Sequence, residues 1–297
     1  MILSVGEILC DLIGETDGNV TSFVRFAGGA PFNVACNAHF AGAESAFVGK
    51  VGRDVMGDFL LRFADSLGFD RSDIKVDKRR NTTLAFVEIR DGEREFTFFR
   101  NNTADYNLKI DEIDFSKYKG LSILHLGSLM LSELTGRNLA KNLIKAASTR
   151  GLKISFDVNF RSDIFGSPQK AIAAYTPLIE AAHILKFSES ELADFTEETK
   201  LAAAVAKLAR PGRLLAVTLG KDGSLFSFNG ITEVVPTIPV KAVDTTGAGD
   251  AFYGALLAKV DAIGLDNLTH DDLIAAFVYA NRIGAIAVQK KGAINSF

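Results

Sequence analysis

An α/β protein is predicted, with a three-layer α/β/α body around a mostly parallel central sheet and a small β appendage. Three observations predict it. Short apolar runs at 121–126, 153–158, 183–187 and 214–218 alternate with helical stretches at 133–148, 168–182 and 199–209, and such alternation builds a parallel sheet covered by helices on both faces. The segments LAFVEIR and REFTFFR flank Asp91-Gly92, a strong signal for an antiparallel hairpin. With 297 residues, 47% of them hydrophobic and 23% charged, the chain is long enough to bury a large core.

Taken in order, residues 2–9 read as a short apolar strand, and 14–26 as a second strand-like segment in which Val20, Phe23, Val24 and Phe26 stand among polar residues. Gly28-Gly29 follows, and Pro31 is placed to open a helix. In that helix Phe32, Ala35, Cys36, His39 and Phe40 recur at helical spacing until Gly42 ends it. Residues 45–51 form the next strand, and Asp54 caps a helix running toward Gly68. A second hairpin over 225–235 turns at Asn229-Gly230, and apolar helices at 248–263 and 271–288 close the chain. No repeat or low-complexity linker divides it.

A formal net charge of −3, with scattered Lys and Arg, gives no electrostatic footprint for nucleic acid. No run of 18 or more apolar residues predicts a membrane span, and the N-terminus has neither the basic start nor the cleavage site of a signal peptide. Cys10 and Cys36 sit in apolar contexts without CxxC spacing, so they read as core thiols of a cytoplasmic protein. The four histidines form no HxxxH pair, so they read as packing or surface residues rather than metal ligands.

The chemistry concentrates in DTTGAGDAF, 244–252. Gly247 and Gly249 allow close approach of backbone to ligand, and the spacing of Ala251, Phe252, Ala255 and Leu256 starts a helix whose free N–H groups attract phosphate oxygens. Asp250 is out of place beside a phosphate unless it takes a proton from an attacking hydroxyl. A helix-start Asp and a common Gly-Ala-Gly turn are the plain structural alternative. A dinucleotide fingerprint would need Gly at Phe252, and a Walker A loop would need a different spacing at Gly42, Gly49 and Lys50 with a hydroxyl residue at Val51.

Together with GGAPFNVACNAHFAG at 28–42, this motif resembles the PfkB or ribokinase family of carbohydrate kinases, in the expected order and over nearly the whole chain. The resemblance implies a single ribokinase-like catalytic domain over 1–297, with a β lid built from about 12–27 and 80–103. Such a lid keeps water from the reaction. The resemblance puts the anion hole on the backbone of Thr246, Gly247, Ala248 and Gly249, the catalytic base on Asp250, and a charge-stabilising guanidinium on Arg161. Sugar contacts fall on Asp11, Gly28, Gly29, Asn33, Arg100, Asp157 and Asn159. Nucleotide contacts fall on Lys186, Thr218, Gly220, Gly247, Gly249 and Asn281. SESE at 188–191 departs from the family's Asn-x-x-Glu by having Ser188, which leaves Glu191 to arrange water around magnesium. A potassium site is implied at Asp244, Thr246, Ala287, Lys290, Gly292 and Ser296.

ATP and Mg2+ are therefore the implied cofactors, with K+ beside them. GEILCDLI, GGAPFNVA and FFRNNTAD look most like fructokinases, and a phosphorylated sugar would call for more Lys or Arg near the lid. Phosphorylation of free D-fructose to fructose 6-phosphate is the expectation, with 2-keto-3-deoxygluconate or another sugar or nucleoside as alternative acceptors. Two other classes remain open, a sugar-binding module without chemistry and a nucleotide-dependent oxidoreductase. The partners expected are sugar and ATP, with neither nucleic acid nor membrane, and a homodimer through the apolar lid residues Phe96, Phe98 and Phe99.

Overall fold

The computed structural model describes residues 1–17, 20–90, 93–160 and 162–294. Its elements run β1 (Ile2–Val5), β2 (Leu9–Asp17), β3 (Val20–Gly28), α1 (Ala30–Phe40), β4 (Ser45–Gly52), α2 (Val55–Ser66), β5 (Ile74–Asp77), β6 (Leu84–Arg90) and β7 (Glu93–Phe99). Next come β8 (Ile123–Leu126), α3 (Leu134–Arg150), β9 (Lys153–Asp157), α4 (Pro168–Ala181), β10 (Ile184–Ser188), α5 (Glu189–Thr196) and α6 (Leu201–Leu208). The chain closes with β11 (Leu214–Thr218), β12 (Ser224–Phe228), β13 (Ile231–Val235), α7 (Ala248–Ile263) and α8 (His270–Ala287).

Nine strands form one sheet in the order β13-β12-β11-β10-β9-β8-β1-β4-β5, parallel except for the antiparallel β12 and β13. Both of its faces are buried, and the strands show this residue by residue. Leu185 and Phe187 enter the core formed with α3 to α6, whereas their neighbour Ile184 enters the core formed with α7 and α8. Leu214 to Val217 alternate between the same two cores, as strand side chains must. The result is the expected three-layer body.

A separate four-stranded sheet, ordered β3-β2-β6-β7, holds the appendage. It departs from expectation at the first strand, because 2–9 is not one strand. Ile2 to Val5 pair with β4 and β8 in the large sheet, and the chain then leaves it, with Leu9 pairing to Gly28 in the small one. The small sheet thus begins at Leu9 rather than near 12, and its second hairpin spans 84–99. That hairpin is antiparallel from Leu84↔Phe99 to Arg90↔Glu93, while its Asp91-Gly92 turn lies outside the described residues. β5 and α5 went unpredicted. Their four and eight residues are too few to carry a clear periodic signal.

Local capping explains the helix starts. Asp54 accepts from the backbone N–H groups of Met56 and Gly57, and Thr269 forms a reciprocal cap with Asp272 on α8. No helix among the described residues is long and apolar enough to cross a membrane. Both cysteines are free and buried.

A polar chain crosses the otherwise apolar interior under α7. The Tyr253 hydroxyl donates toward the carbonyls of Phe156 and Ile184, and accepts from Ser155 Oγ at 2.8 Å, which in turn meets His125 Nδ1 at 3.0 Å. Burial, reinforced by the Lys186 charge, pushes the His125 imidazole down to about 3, so it stays neutral. Tyr253→Phe is expected to lower stability by about 1–3 kcal/mol, read as a fall in the urea midpoint at constant slope.

Candidate active site

A cavity of about 420 Å³ lies where α7 begins, between the large sheet and the small one. Its walls are Thr245 to Gly247, Gly249 and Asp250 on one side, Glu7, Leu9, Asp11 and Phe98 on another, and Ser188, Glu191 and Thr218 at a third. Parallel sheets place ligands beyond the carboxyl ends of their strands, and Ser188 and Thr218 are the last residues of β10 and β11. The register of the small sheet explains the rest, since Asp11 aligns with Ala85 and Ala85 with Phe98. Asp11 and Phe98 therefore share the face turned to the cavity.

Asp250 stands in the first turn of α7, buried, with Asn33 Nδ2 donating to its Oδ2 at 2.8 Å. The helix is started by Gly247 at φ 74°, a left-handed conformation in which a Cβ would also stand 2.5 Å from Ala293. Only Gly fits there. Behind it begins the first turn of the helix, where Ala248 N–H donates to the Thr245 carbonyl at 3.3 Å and the dipole end lies next to a carboxylate. At Gly28 a Cβ would collide with the Asp11 carboxylate, so that glycine makes room for a side chain rather than for a turn. Gly29 caps α1, which carries Asn33.

Lys186 and Asp157 form a buried ion pair at 2.9 Å, and a Cβ at Gly249 would lie 2.8 Å from the Lys186 ammonium. The charge thus sits against the backbone at the start of α7. Burial alone would lower the Lys186 pKa, but Asp157, Glu191 and Asp250 outweigh it and hold the group above its ordinary value. Burial pushes Asp157 up from the usual carboxylate range, opposed by Lys186 and assisted by Glu191 and Asp250. Removing the lysine would leave a carboxylate buried without its partner, a change that costs about 3–5 kcal/mol.

Asn159 lines the cavity at φ 40°, just beyond β9. Among the described residues its Nδ2, Asn33 Oδ1, Asp157 Oδ1 and Glu7 Oε2 are buried without a hydrogen-bond partner, the pattern of a site awaiting a polar ligand. Ser188 is the cap of α5: its Oγ accepts from the Glu191 N–H, and Glu191 returns the bond to the Ser188 N–H at 2.7 Å while also accepting from Phe160 N. Ser188 in place of Asn therefore keeps the helix start and fixes Glu191 at the rim.

Other sequence-predicted residues lie elsewhere. Arg100 lines an adjoining cavity instead, with its guanidinium bound to Asp105 and Ser132 and stacked on Tyr106. The Asn281 amide joins α8 to the segment around β12 and β13, donating to the Val235 carbonyl and accepting from Ser224 Oγ. Gly220 is exposed beside β11 and does not line the cavity. Asp244 accepts from Thr246 N and Gly292 N, while the Val288 carbonyl accepts from Val243 N and Asp244 N. Ala287 accepts from Lys290 N in the same turn, so these five residues of the implied potassium site do gather, with oxygen donors suited to a hard cation. Arg161 and Ser296 lie outside the described residues.

Glu7 has no role in the sequence reading beyond its place in GEILCDLI, yet it is one of the cavity walls. Burial above all pushes its carboxyl up to about 7, opposed first by a hydrogen bond from its own backbone N–H and then by Arg100, with Asp105 and Asp250 adding to the rise. A carboxyl whose folded value is raised binds its proton more tightly in the native state, so its burial becomes costly as pH climbs from about 4.5 and is fully costly above about 7. The stability difference between Glu7→Gln and the parent protein should accordingly move in favour of the variant by roughly 3 kcal/mol across that window. Denaturant midpoints from pH 4 to 9 measure it.

A helix start that can hold phosphate oxygens, a carboxylate within its first turn and a polyol-sized polar cavity define a phosphotransferase acting on a small alcohol. The model of the pfkB family of carbohydrate kinases matches residues 1–297, and the chain belongs to that family. It is 36% identical to probable fructokinase-5 of Arabidopsis thaliana over 99% of this chain and 93% of that protein. Among solved structures it resembles fructokinase with bound ATP from Xylella fastidiosa, at TM-score 0.89 and 28% identity over 99% of this chain and 94% of that one. A double-mutant fructokinase from Vibrio cholerae with fructose, ADP and potassium ion gives TM-score 0.89 and 31% identity over the same shares of the two chains.

Proposed function

We propose that this protein transfers the γ-phosphoryl group of ATP to the 6-hydroxyl of D-fructose. The observation that carries the reading is Asp250, held by Asn33 beside the N–H groups that open α7, in a chain most of whose relatives named above are fructokinases. The hydroxyl oxygen attacks the γ-phosphorus, the bond to the bridging oxygen of ADP breaks, and the hydroxyl proton passes to Asp250. Because the transition state is loose, the chain's work is alignment and charge stabilisation rather than deprotonation in advance. The backbone from Thr246 to Gly249 cradles the departing charge.

In this reading Asp11, Asn33, Asp157 and Asn159 satisfy sugar hydroxyls, and Gly28 and Gly29 let the backbone close on them. Arg100 acts in its present position by holding the small sheet to the segment after β8. Lys186 and Thr218 face the nucleotide's phosphates, Arg161 offsets charge on the moving phosphoryl group, and Gly220 and Asn281 shape the base-side wall. When bound, Mg2+ would neutralise phosphate charge through waters ordered by Glu191, and K+ would add positive charge through Asp244 and its neighbours. The small sheet serves as a lid over one domain, its Asp11 and Phe98 face excluding water. Two free thiols suit the cytoplasm.

The opposite face of that sheet carries Phe23, Phe86 and Phe99 in contact at 5.0 Å spacing, with Phe99 58% exposed. Alternation thus divides the aromatic run, since Phe98 turns to the cavity; the Phe96 side chain lies outside what is described. We assign the Phe99 face to pairing with a second copy. Light scattering should give twice the 32.0 kDa chain mass, and a monomer at assay concentrations refutes the assignment.

A coupled assay with ATP, magnesium and a panel of free sugars tests the function. Fructose is expected to turn over fastest, and turnover of another sugar with none of fructose would falsify the substrate. Asp250→Asn should retain sugar and ATP binding while kcat falls by about 10²–10⁴-fold.

A further inference from the structure

Four carboxylates line the cavity, those of Glu7, Asp11, Glu191 and Asp250, and Glu7 alone has no part in the reading above. It lies where the chain passes from β1 to β2, and it is 3% exposed. Its Oε2 is buried and has no hydrogen-bond partner among the described residues. An unpaired acceptor of this kind is costly, and buried native oxygens nearly always have a donor.

Behind the side chain the packing is closed, and the cavity is its open side. A Cβ at Gly127 would stand 2.5 Å from Glu7 Oε2 and 2.8 Å from the Pro31 ring, so Gly127 and Pro31 close the back wall. Arg100, the cation whose field reaches Glu7, spends its guanidinium on Asp105 and Ser132. Of the other charged groups around it, Asp105 after β7, Asp11 on β2, Glu191 on α5 and Asp250 on α7 are acceptors, and the Lys186 ammonium in the same cavity is paired with Asp157. None of these carboxylates donates in its ionised form. What a cavity sized for a polyol supplies is hydroxyl hydrogens.

We propose that Glu7 is a sugar-binding residue, its ionised carboxylate accepting a hydroxyl hydrogen of the acceptor sugar. The assignment builds on the sugar-kinase reading. It makes sugar affinity depend on the charge of a group at the junction of the two sheets. Protonation as pH falls through about 7 replaces the charged acceptor by a weaker neutral one, so sugar binding weakens on the acid side.

The test compares wild type with Glu7→Gln and Glu7→Asp in the coupled assay between pH 5.5 and 8.5, varying sugar and ATP separately. Glu7→Gln should raise the KM for sugar roughly tenfold or more, leave the KM for ATP unchanged, and flatten the acid limb of kcat/KM for sugar. Glu7→Asp keeps the charge but draws it back, and should raise the sugar KM as well. An unchanged sugar KM and pH profile in Glu7→Gln overturns the proposal, as does an equal rise in both KM values. Should that variant fail to fold, an unchanged sugar KM in Glu7→Asp overturns it. Wild type inactive on fructose but active on another sugar refutes the fructose reading alone, and the variants are then compared with that sugar. If no sugar is turned over or raises the wild-type melting temperature, both readings fall.

Discussion

Helices α1 and α7 cross at Gly254, where a Cβ would lie 2.7 Å from the Val34 carbonyl oxygen and from Asn37 Cβ, and the site depends on that close approach. Any larger residue would part the helices, and Asn33 would no longer reach Asp250. The crossing is locked from below by Tyr253, whose hydroxyl is held by β9 and β10. One turn of α7 thus carries the Asp250 carboxylate, the following residues fix its rotation, and Gly254 fixes its distance from α1, which carries Asn33. Geometry of this kind is set by packing, since interiors resist small displacements.

Charge is distributed along the cavity rather than balanced pair by pair. Glu7 and Asp11 lie on the side of the small sheet, and the start of α7 with the Lys186 ammonium lies on the other, which the proposed reaction takes as its sugar and phosphate ends. Asp250 stands at the boundary. A carboxylate beside a phosphate is unfavourable in isolation, but here Asn33 donates to it from one side and the helix start favours negative charge. Lys186, kept charged by three nearby carboxylates, offsets the rest. Its salt bridge to Asp157 is less a source of stability than a means of holding a cation where water is scarce.

The small sheet contributes to this arrangement through register. Pairing of β2 with β6 and of β6 with β7 puts Asp11, Ala85 and Phe98 on one face, from which Asp11 and Phe98 line the cavity, and a one-residue slip of β2 would turn Asp11 to the other face. Phe26 of β3 meets Gly292, where a Cβ would stand 3.0 Å from its ring. The sheet therefore touches the loop after α8 that also receives Asp244. The two segments meet although they are more than 250 residues apart in the chain.

The sequence by itself determined the layered α/β body, the two hairpins and most helix starts, because strand alternation, helical spacing and caps such as Asp54 are local signals. It also located Asp250, Asn33, Asp11 and Glu191, each lying within a motif of recognisable spacing. It could not divide residues 2–9 between two sheets, since an apolar run reads the same whichever sheet receives it. Nor could it separate residues that face the cavity from those that brace it: Arg100 and Asn281 are spent on neighbours whose positions only the fold supplies. Glu7 was legible only as a charge in an apolar strand. Its place in the cavity came from tertiary structure, because burial and unmet hydrogen bonds depend on residues as distant as Gly127 and Asp250.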